Sequence, residues 1–308
     1  MEKYKRISQV GEGAFGKVFK SKDLEKNIDV AIKRIPVEIE NGIPFTAYRE
    51  IKILKKYTHT NLVKLHDAMH EEGFIFLVMD YLPYDLTGLL LSKYKFQPDQ
   101  IRGLIYQLCL ATSYLHSQNI IHRDIKASNI LIDNNGVLKL TDFGLAREQG
   151  FYMTNRVCTL WYRAIELLLG EIKYTCKVDS WSIGIIFLEM KLGHVPFKGS
   201  NEAPQVKEIV KVLGIPEERY QWSDLFELNR YKKDIPHSEL IKEIYSGVCD
   251  EQEIILLKEL LCLNSKERIS PKYALKLKFF QEIDQIYFPI ELNEVHEFDI
   301  KKSDKDDN

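Results

Sequence analysis

The chain has 308 residues, enough for two ordinary domains or one divided domain. Hydrophobic residues make up 45% and charged residues 29%, values that suit a folded globular chain and exclude a disordered one. Lys plus Arg number 43 against 45 Asp plus Glu, a net charge of −2, so no overall field draws the molecule to nucleic acid or an anionic membrane.

From the N terminus, short β-type runs rich in Val, Ile, Phe and Tyr come first: Tyr4–Val10, Lys17–Ser21, Val30–Ile35 and Phe74–Met79. Between the last two, Tyr48, Ile51 and Leu54 recur on one face and predict a helix over Thr46–Tyr57. Beyond Leu82-Pro83 the pattern turns helical. Ile101, Leu104, Ile105, Leu108 and Leu115 keep the 3.6-residue period behind Pro98. Asp179–Leu192 is apolar nearly all round, as a helix at the middle of a core would be. The end, KKSDKDDN from Lys301, alternates charges without an apolar anchor and reads as frayed. The cysteines Cys109, Cys158, Cys176, Cys249 and Cys262 are scattered, odd in number and without a CxxC pair. They suit a reducing compartment better than a disulfide framework. MEKYKRISQV has no apolar signal core, and no run of about eighteen apolar residues occurs. The expectation is a chain neither secreted nor membrane-spanning.

Gly11-Glu12-Gly13-Ala14-Phe15-Gly16 is a GxGxxG string, weak evidence by itself because any tight turn can carry glycines. A dinucleotide fingerprint would need a helix after the glycines and an acidic residue about 20 positions on. Here β-type Val18-Phe19 follows, and a lysine stands farther along. The other use of such a loop is a hairpin folded over a triphosphate, its backbone N–H groups close to the phosphates. That use requires a lysine on a following strand and a glutamate on a helix to hold the lysine's charge. Val30-Ala31-Ile32-Lys33 and Glu50 meet the requirement. A strand lysine alone is more often solvated; its place after the loop reverses that reading.

Ile121-His122-Arg123-Asp124-Ile125-Lys126-Ala127-Ser128-Asn129 forms an HRDxxxxN string, and Asp142-Phe143-Gly144 follows. They stand on short turns beside the β-type runs Asn129–Ile132 and Val137–Leu140. Two carboxylates and an amide so placed suit a magnesium–nucleotide site. Asp124 would accept the substrate hydroxyl's proton, Asn129 and Asp142 would hold Mg2+, and Lys126 would neutralise the γ-phosphoryl. Polar turns with local hydrogen bonds explain each motif singly, but not the four in this order.

On these motifs the chain resembles a eukaryotic protein kinase from about residue 4 to about residue 281. More narrowly it resembles the cyclin-dependent kinases. Pro44-Phe45-Thr46-Ala47-Tyr48-Arg49-Glu50 is a variant of that family's cyclin-binding helix. Residues 154–163 resemble its activation segment, and Val212-Leu213-Gly214-Ile215-Pro216 its insert. Gly42–Ala47, Val78–Tyr81 with Asp85–Leu90, and Val137–Leu140 look closest to the transcriptional branch, which phosphorylates RNA polymerase II C-terminal repeats with cyclin T- or K-type partners.

The resemblance implies an α+β, bilobed protein kinase fold. Its expected parts are a small β-rich N-lobe with one cyclin-facing helix (1–79), a hinge (80–85), a larger, mainly helical C-lobe (86–281) and a tail (282–308). It implies ATP and Mg2+ as cofactors, with nucleotide contacts at Val10, Gly11, Gly13, Ala14, Gly16, Val18, Ala31, Lys33, Met79, Asp80, Leu82, Asp85, Asn129, Leu131 and Asp142. Catalysis falls to Asp124, Lys126, Lys33 and Glu50. Arg49, Arg123 and Arg147 would gather around a phosphate on Thr154, added by an activating kinase. Ser/Thr-Pro protein substrates, a cyclin docked at Pro44–Glu50, and an intracellular, nuclear setting complete the expectation, with no direct nucleic acid or membrane partner. A cell-cycle kinase is the nearest alternative. A pseudokinase scaffold or a small-molecule kinase would be of another kind; intact Lys33, Asp124, Asn129 and Asp142 weigh against the scaffold, and the Thr159–Arg163 segment against the small substrate.

Some positions depart from the family pattern. Ala14-Phe15 carry no hydroxyl for inhibitory phosphorylation. Ile165 replaces a proline before Glu166, which could still pair with Arg268. Cys158 replaces a β-branched residue near the expected proline pocket, where Arg163 is retained. The stretch from Asp142 to Thr154 is short, and Met79 stands as gatekeeper.

Overall fold

A computed structural model describes the chain except residues 14–15, 38–41, 156, 216–236, 282, 284–285 and 307–308. Ala14 and Pro216 therefore lie outside the described residues. Two compact units form: Met1–Lys95, Ala127–Ala146 and Tyr287–Asn308 in the first, Phe96–Lys126 and Arg147–Ile286 in the second.

The first unit holds an antiparallel five-stranded sheet of β1 (Tyr4–Gly13), β2 (Gly16–Asp23), β3 (Ile28–Pro36), β4 (Leu65–Glu71) and β5 (Phe74–Asp80), in the order β1-β2-β3-β5-β4. Val30, Ile32 and Val78 form a buried cluster, with Met1, Tyr4, Met69 and Phe76 packed on it. The run Leu65–Glu71 (LHDAMHE) carried no strand signal, because an edge strand need not be apolar.

Helix α1 spans Phe45–Lys56, close to the expected range, and ends with Lys55 and Lys56 where cations favour the helix dipole. Its buried face differs from the periodicity reading. Ala47, Glu50, Ile53 and Leu54 face inward, whereas Tyr48 is 59% exposed. A hydrophobic count cannot find a face whose centre is a glutamate.

Asp85 organises the rest of this unit. Its carboxylate caps α2 (Leu86–Leu91), accepting from Gly88 N at 2.7 Å, and caps the C-terminal helix Glu297–Asp306, accepting from Glu297 N at 2.8 Å. The final residues are thus helical through Asp306, which the charge alternation did not suggest. That helix packs on α2 and β1, and a Cβ at Gly88 would come within 2.9 Å of the His296 backbone. Burial raises Asp85 to about 6, although both backbone donors oppose the rise.

In the second unit, α3 (Pro98–Ser117) packs against α4 (Lys177–Leu192). Residues 178–190 of α4 are buried, and Gly193, at φ 76°, terminates it in the left-handed region glycine favours. Arg268, fully buried, holds Glu166 through two bonds of 2.7 and 2.9 Å, so the expected pair forms beside Ile165. All five cysteines are free. Among the described residues, no helix is long and apolar enough to cross a membrane.

Candidate active site

Strand pairing sets several of the residues expected at the nucleotide beside one another. Gly13 faces Gly16 across the β1–β2 turn, Gly11 faces Val18, Val18 faces Lys33, and Ala31 faces Met79. Val10 stands in β1, half-buried, as are Val18 and Leu131. Gly16 has no substitute: its φ is 143°, and a Cβ there would lie 2.1 Å from the Arg34 carbonyl oxygen. The short strands Ile130–Ile132 and Leu138–Leu140 pair, and Leu131 lies opposite both Lys139 and Asp85.

Lys33 and Glu50 make the expected pair. Lys33 Nζ lies 2.8 and 3.1 Å from the two Glu50 oxygens and 3.3 Å from Asp142 Oδ1. Lys33 is 8% exposed and Glu50 2%. Burial by itself pulls Lys33 down; the Glu50 and Asp142 carboxylates outweigh it and hold the lysine above its ordinary range. Asp142 sits at φ 60°, a left-handed conformation rare outside glycine and typical of constrained sites. Asn129 is buried at the end of a 3-10 turn, and its carbonyl accepts from Thr141 N.

Three expected nucleotide-side positions have polar partners within the chain. Asp85 spends its carboxylate on the two helix termini. The Leu82 carbonyl hydrogen-bonds His296 Nε2 at 3.0 Å. Asp80 N donates to Lys64 O, and the Asp80 side chain meets His66 at 2.7 Å and Lys139 at 3.0 Å. The segment around His296 was not foreseen. Glu294 beside it accepts from Lys20 Nζ at 2.6 Å and from Tyr81 OH at 3.0 Å. No local pattern marks these residues, since their partners lie more than two hundred positions away.

The second unit carries Asp124 and Lys126, paired at 3.0 Å. Asp124 Oδ1 accepts from Thr159 N at 3.1 Å and Thr159 Oγ1 at 3.2 Å. The loop is anchored from beneath by Asp179, fully buried in α4, which accepts from His122 N and Arg123 N at 2.9 Å each. Asp179 was missed as a positioning residue. Its signal was a carboxylate in the first turn of a helix apolar nearly all round, where burial without partners would be costly.

Of the three arginines expected around Thr154, Arg123 meets it. Its Nη1 lies 3.5 Å from Thr154 Oγ1 and 3.0 Å from Tyr174 OH, while Thr154 is exposed. Arg147, in the same unit, donates to Glu148 O at 3.3 Å. Arg49 belongs to the first unit, where it donates to Gly144 O at 2.8 Å. Cys158 adopts φ 62°, and its carbonyl accepts from Arg163 Nη2 at 3.1 Å. Burial pushes the Cys158 thiol well up, so it is a neutral packing group.

Glu189 in α4 gives a pH test. Burial raises its carboxyl from 4.5 to about 7, with the Tyr162 hydroxyl at 2.8 Å opposing the rise. The folded value exceeds the unfolded one, so its stabilising contribution is full below pH 4.5 and is lost as pH rises to about 7. Glu189→Gln should remove up to about 3 kcal/mol of that decline, taking about 1.4 kcal/mol per pH unit. Denaturant unfolding of both proteins at several pH values between these limits measures it; parallel curves would refute the assignment.

A family model described as a protein kinase domain matches residues 4–280. The chain is 50% identical over 302 residues to a "probable cell division protein kinase" of Encephalitozoon cuniculi (strain GB-M1), spanning 98% of each chain. It is 40% identical over 293 residues to the CTD kinase subunit alpha of Schizosaccharomyces pombe, with 90% of this chain and 48% of that one aligned. It is 38% identical over 303 residues to cyclin-dependent kinase C-2 of Oryza sativa subsp. japonica, with 90% and 59% aligned. The chain thus spans about half the length of the latter two. In the crystal structure of the yeast RNA Pol II CTD kinase CTDK-1 complex, a chain 36% identical matches with a TM-score of 0.81, over 94% of this chain and 96% of that one. Motifs, sheet order and relatives agree: the chain belongs to the protein kinase family and, within it, to the cell-division and cyclin-dependent protein serine/threonine kinases.

Proposed function

We propose that this kinase, activated by a cyclin, transfers the γ-phosphoryl group of ATP to Ser/Thr-Pro sites, with RNA polymerase II C-terminal repeats as its substrate. The likeness to two CTD kinases, at 40% and 36% identity, is the observation that carries the substrate choice. Lys33, held by Glu50, meets the α/β-phosphates, and the glycine-loop amides cover them. Asn129 and Asp142 offer an amide and a carboxylate oxygen, the hard donors that suit Mg2+, whose charge would neutralise the phosphates. The Asp124 carboxylate accepts the substrate hydroxyl's proton as its oxygen bonds to the γ-phosphorus and the bond to the β-phosphate oxygen breaks. Lys126 balances charge on the transferred group.

The cyclin, of T or K type, docks at Pro44–Glu50, where Phe45 and Tyr48 are 84% and 59% exposed and the preceding Ile43 is 51% exposed. Apolar groups so exposed are costly for a chain that works alone. A nuclear setting follows from the substrate. Capture of the chain with its partner, followed by assays on polymerase-repeat and histone-type peptides, tests the reading. Preference for the histone-type peptide would make it a cell-cycle kinase instead; no turnover with any cyclin would make it a scaffold.

Phosphate on Thr154, added by an activating kinase, would give Arg123 and Arg147 a dianionic acceptor and order the segment. Thr154→Ala should therefore lower kcat of the cyclin complex at least about tenfold, the effect of losing 1.4 kcal/mol of transition-state stabilisation. Equal kcat in the two phosphatase-treated and untreated complexes would overturn the switch.

A further inference from the structure

Beside Asp124 the chain holds a strained backbone turn and braces it from a neighbouring helix. Asp124 Oδ1 accepts from Thr159 N at 3.1 Å, so a substrate hydroxyl brought to Asp124 carries the next substrate residue to the Cys158–Thr159 backbone. Cys158 stands at φ 62°, a left-handed conformation costly for a residue with a Cβ. Its carbonyl accepts from Arg163 Nη2 at 3.1 Å. Arg163 Nη1 donates to Glu202 Oε1 at 2.8 Å, while Nε is buried with no hydrogen-bond partner among the described residues. An unpaired buried donor opposes this placement of the guanidinium. The two formed bonds hold it there against that cost.

Glu202 lies in the first turn of α5 (Glu202–Leu213), whose positive end favours a carboxylate. The same helix reaches the same segment by a second route. Gln205, fully buried, accepts from Gly199 N at 2.7 Å through Oε1, and Gly199 O accepts from Trp161 Nε1 at 3.0 Å. A Cβ at Gly199 would lie 2.3 Å from Gln205 N, so only glycine permits this approach. The start of α5 is thus tied to residues 158–163 twice, once at the Trp161 indole and once at the Arg163 guanidinium.

We propose that Glu202 is a positioning residue for substrate selection, which aims the Arg163 guanidinium at the Cys158 carbonyl and so sets how strongly proline is preferred after the phosphorylated residue. The proposal rests on the Ser/Thr-Pro reading above. With a guanidinium 3.1 Å away, the Cys158 carbonyl is a poor acceptor for an arriving N–H. Every residue except proline brings that N–H and would bury it unpaired; proline has none to lose. Without Glu202, the Arg163 side chain keeps one anchor instead of two and regains rotamers that it loses when held. The carbonyl is then open for part of the time to the N–H of alanine or any other residue. The effect falls on the choice between peptides, not on folding, because Glu202 is half-exposed and an ion pair so placed contributes little stability.

The test is kcat/KM of the cyclin-bound full chain on two polymerase-repeat peptides that differ only in Pro or Ala after the phosphorylated serine. Wild type should favour the proline peptide at least about tenfold, the effect of one unpaired buried N–H. Glu202→Ala should cut that ratio at least about threefold, chiefly by raising the rate on the alanine peptide. Glu202→Gln, which keeps an acceptor oxygen for Arg163, should retain more of the ratio. Damage to the structure alone would slow both peptides together and leave the ratio where it was. A wild-type ratio near one would overturn the Ser/Thr-Pro reading and the proposal with it. A high wild-type ratio that Glu202→Ala leaves unchanged would overturn the proposal alone, as would a glutamine variant no more selective than the alanine variant. Glu202→Ser, equally too short to reach Arg163, decides if the alanine protein does not fold.

Discussion

Asp124→Asn should leave the chain folded and lower kcat by about 10²- to 10⁴-fold, the range general-base loss produces. The isosteric amide can still accept from Thr159 N and Oγ1, which now bond Asp124 Oδ1 at 3.1 and 3.2 Å. Local geometry is therefore kept. Two things are lost. The amide cannot take a proton from the substrate hydroxyl, and the Lys126 ammonium, 3.0 Å from Asp124 Oδ2, loses its counter-charge. The Lys33–Glu50 pair is left as it is, so KM for ATP should stay within about twofold while kcat falls, the pattern of an interaction made in the transition state. Steady-state kinetics of the cyclin complex, with circular dichroism of the variant, measures both. An unchanged kcat would remove Asp124 from proton transfer, and a raised KM alone would make it a binding group.

How far the sequence led depends on the range of the interactions. The Lys33–Glu50 pair was legible because each partner sits in a motif of fixed order. The strand Leu65–Glu71 was not, since an edge strand mixes His, Asp and Glu without alternation. The buried face of α1 was misread because its centre is Glu50, and a charge becomes a core residue only when a distant partner neutralises it. Asp85 shows the same limit. Family resemblance assigns it to the nucleotide, yet both oxygens cap helix termini, one belonging to a segment 212 residues away. The charge alternation of residues 301–308 described their surface; it contained nothing about the carboxylate that starts their helix.

The second large effect concerns the buried charges themselves. Glu50→Gln should destabilise the protein by about 3–5 kcal/mol, because Lys33 would keep its proton in a site 8% exposed with Asp142, 3.3 Å away, as its remaining carboxylate. Lys33→Met should cost a similar amount by stranding Glu50, which is 2% exposed. The double variant Lys33→Met/Glu50→Leu should recover most of that loss, since an apolar pair of similar volume suits the same interior. Its turnover should stay at or below that of either single variant, because the cation proposed to meet the phosphates is gone. A double-mutant cycle with Lys33→Met and Glu50→Leu as its single corners, read by denaturant unfolding, gives the coupling, expected to exceed about 3 kcal/mol because the double loses less than either single. Stability and catalysis then move in opposite directions in one protein, which a purely structural ion pair would not do. Single variants within about 0.5 kcal/mol of wild type would mean that water reaches the pair and that Glu50 is not needed to keep Lys33 charged.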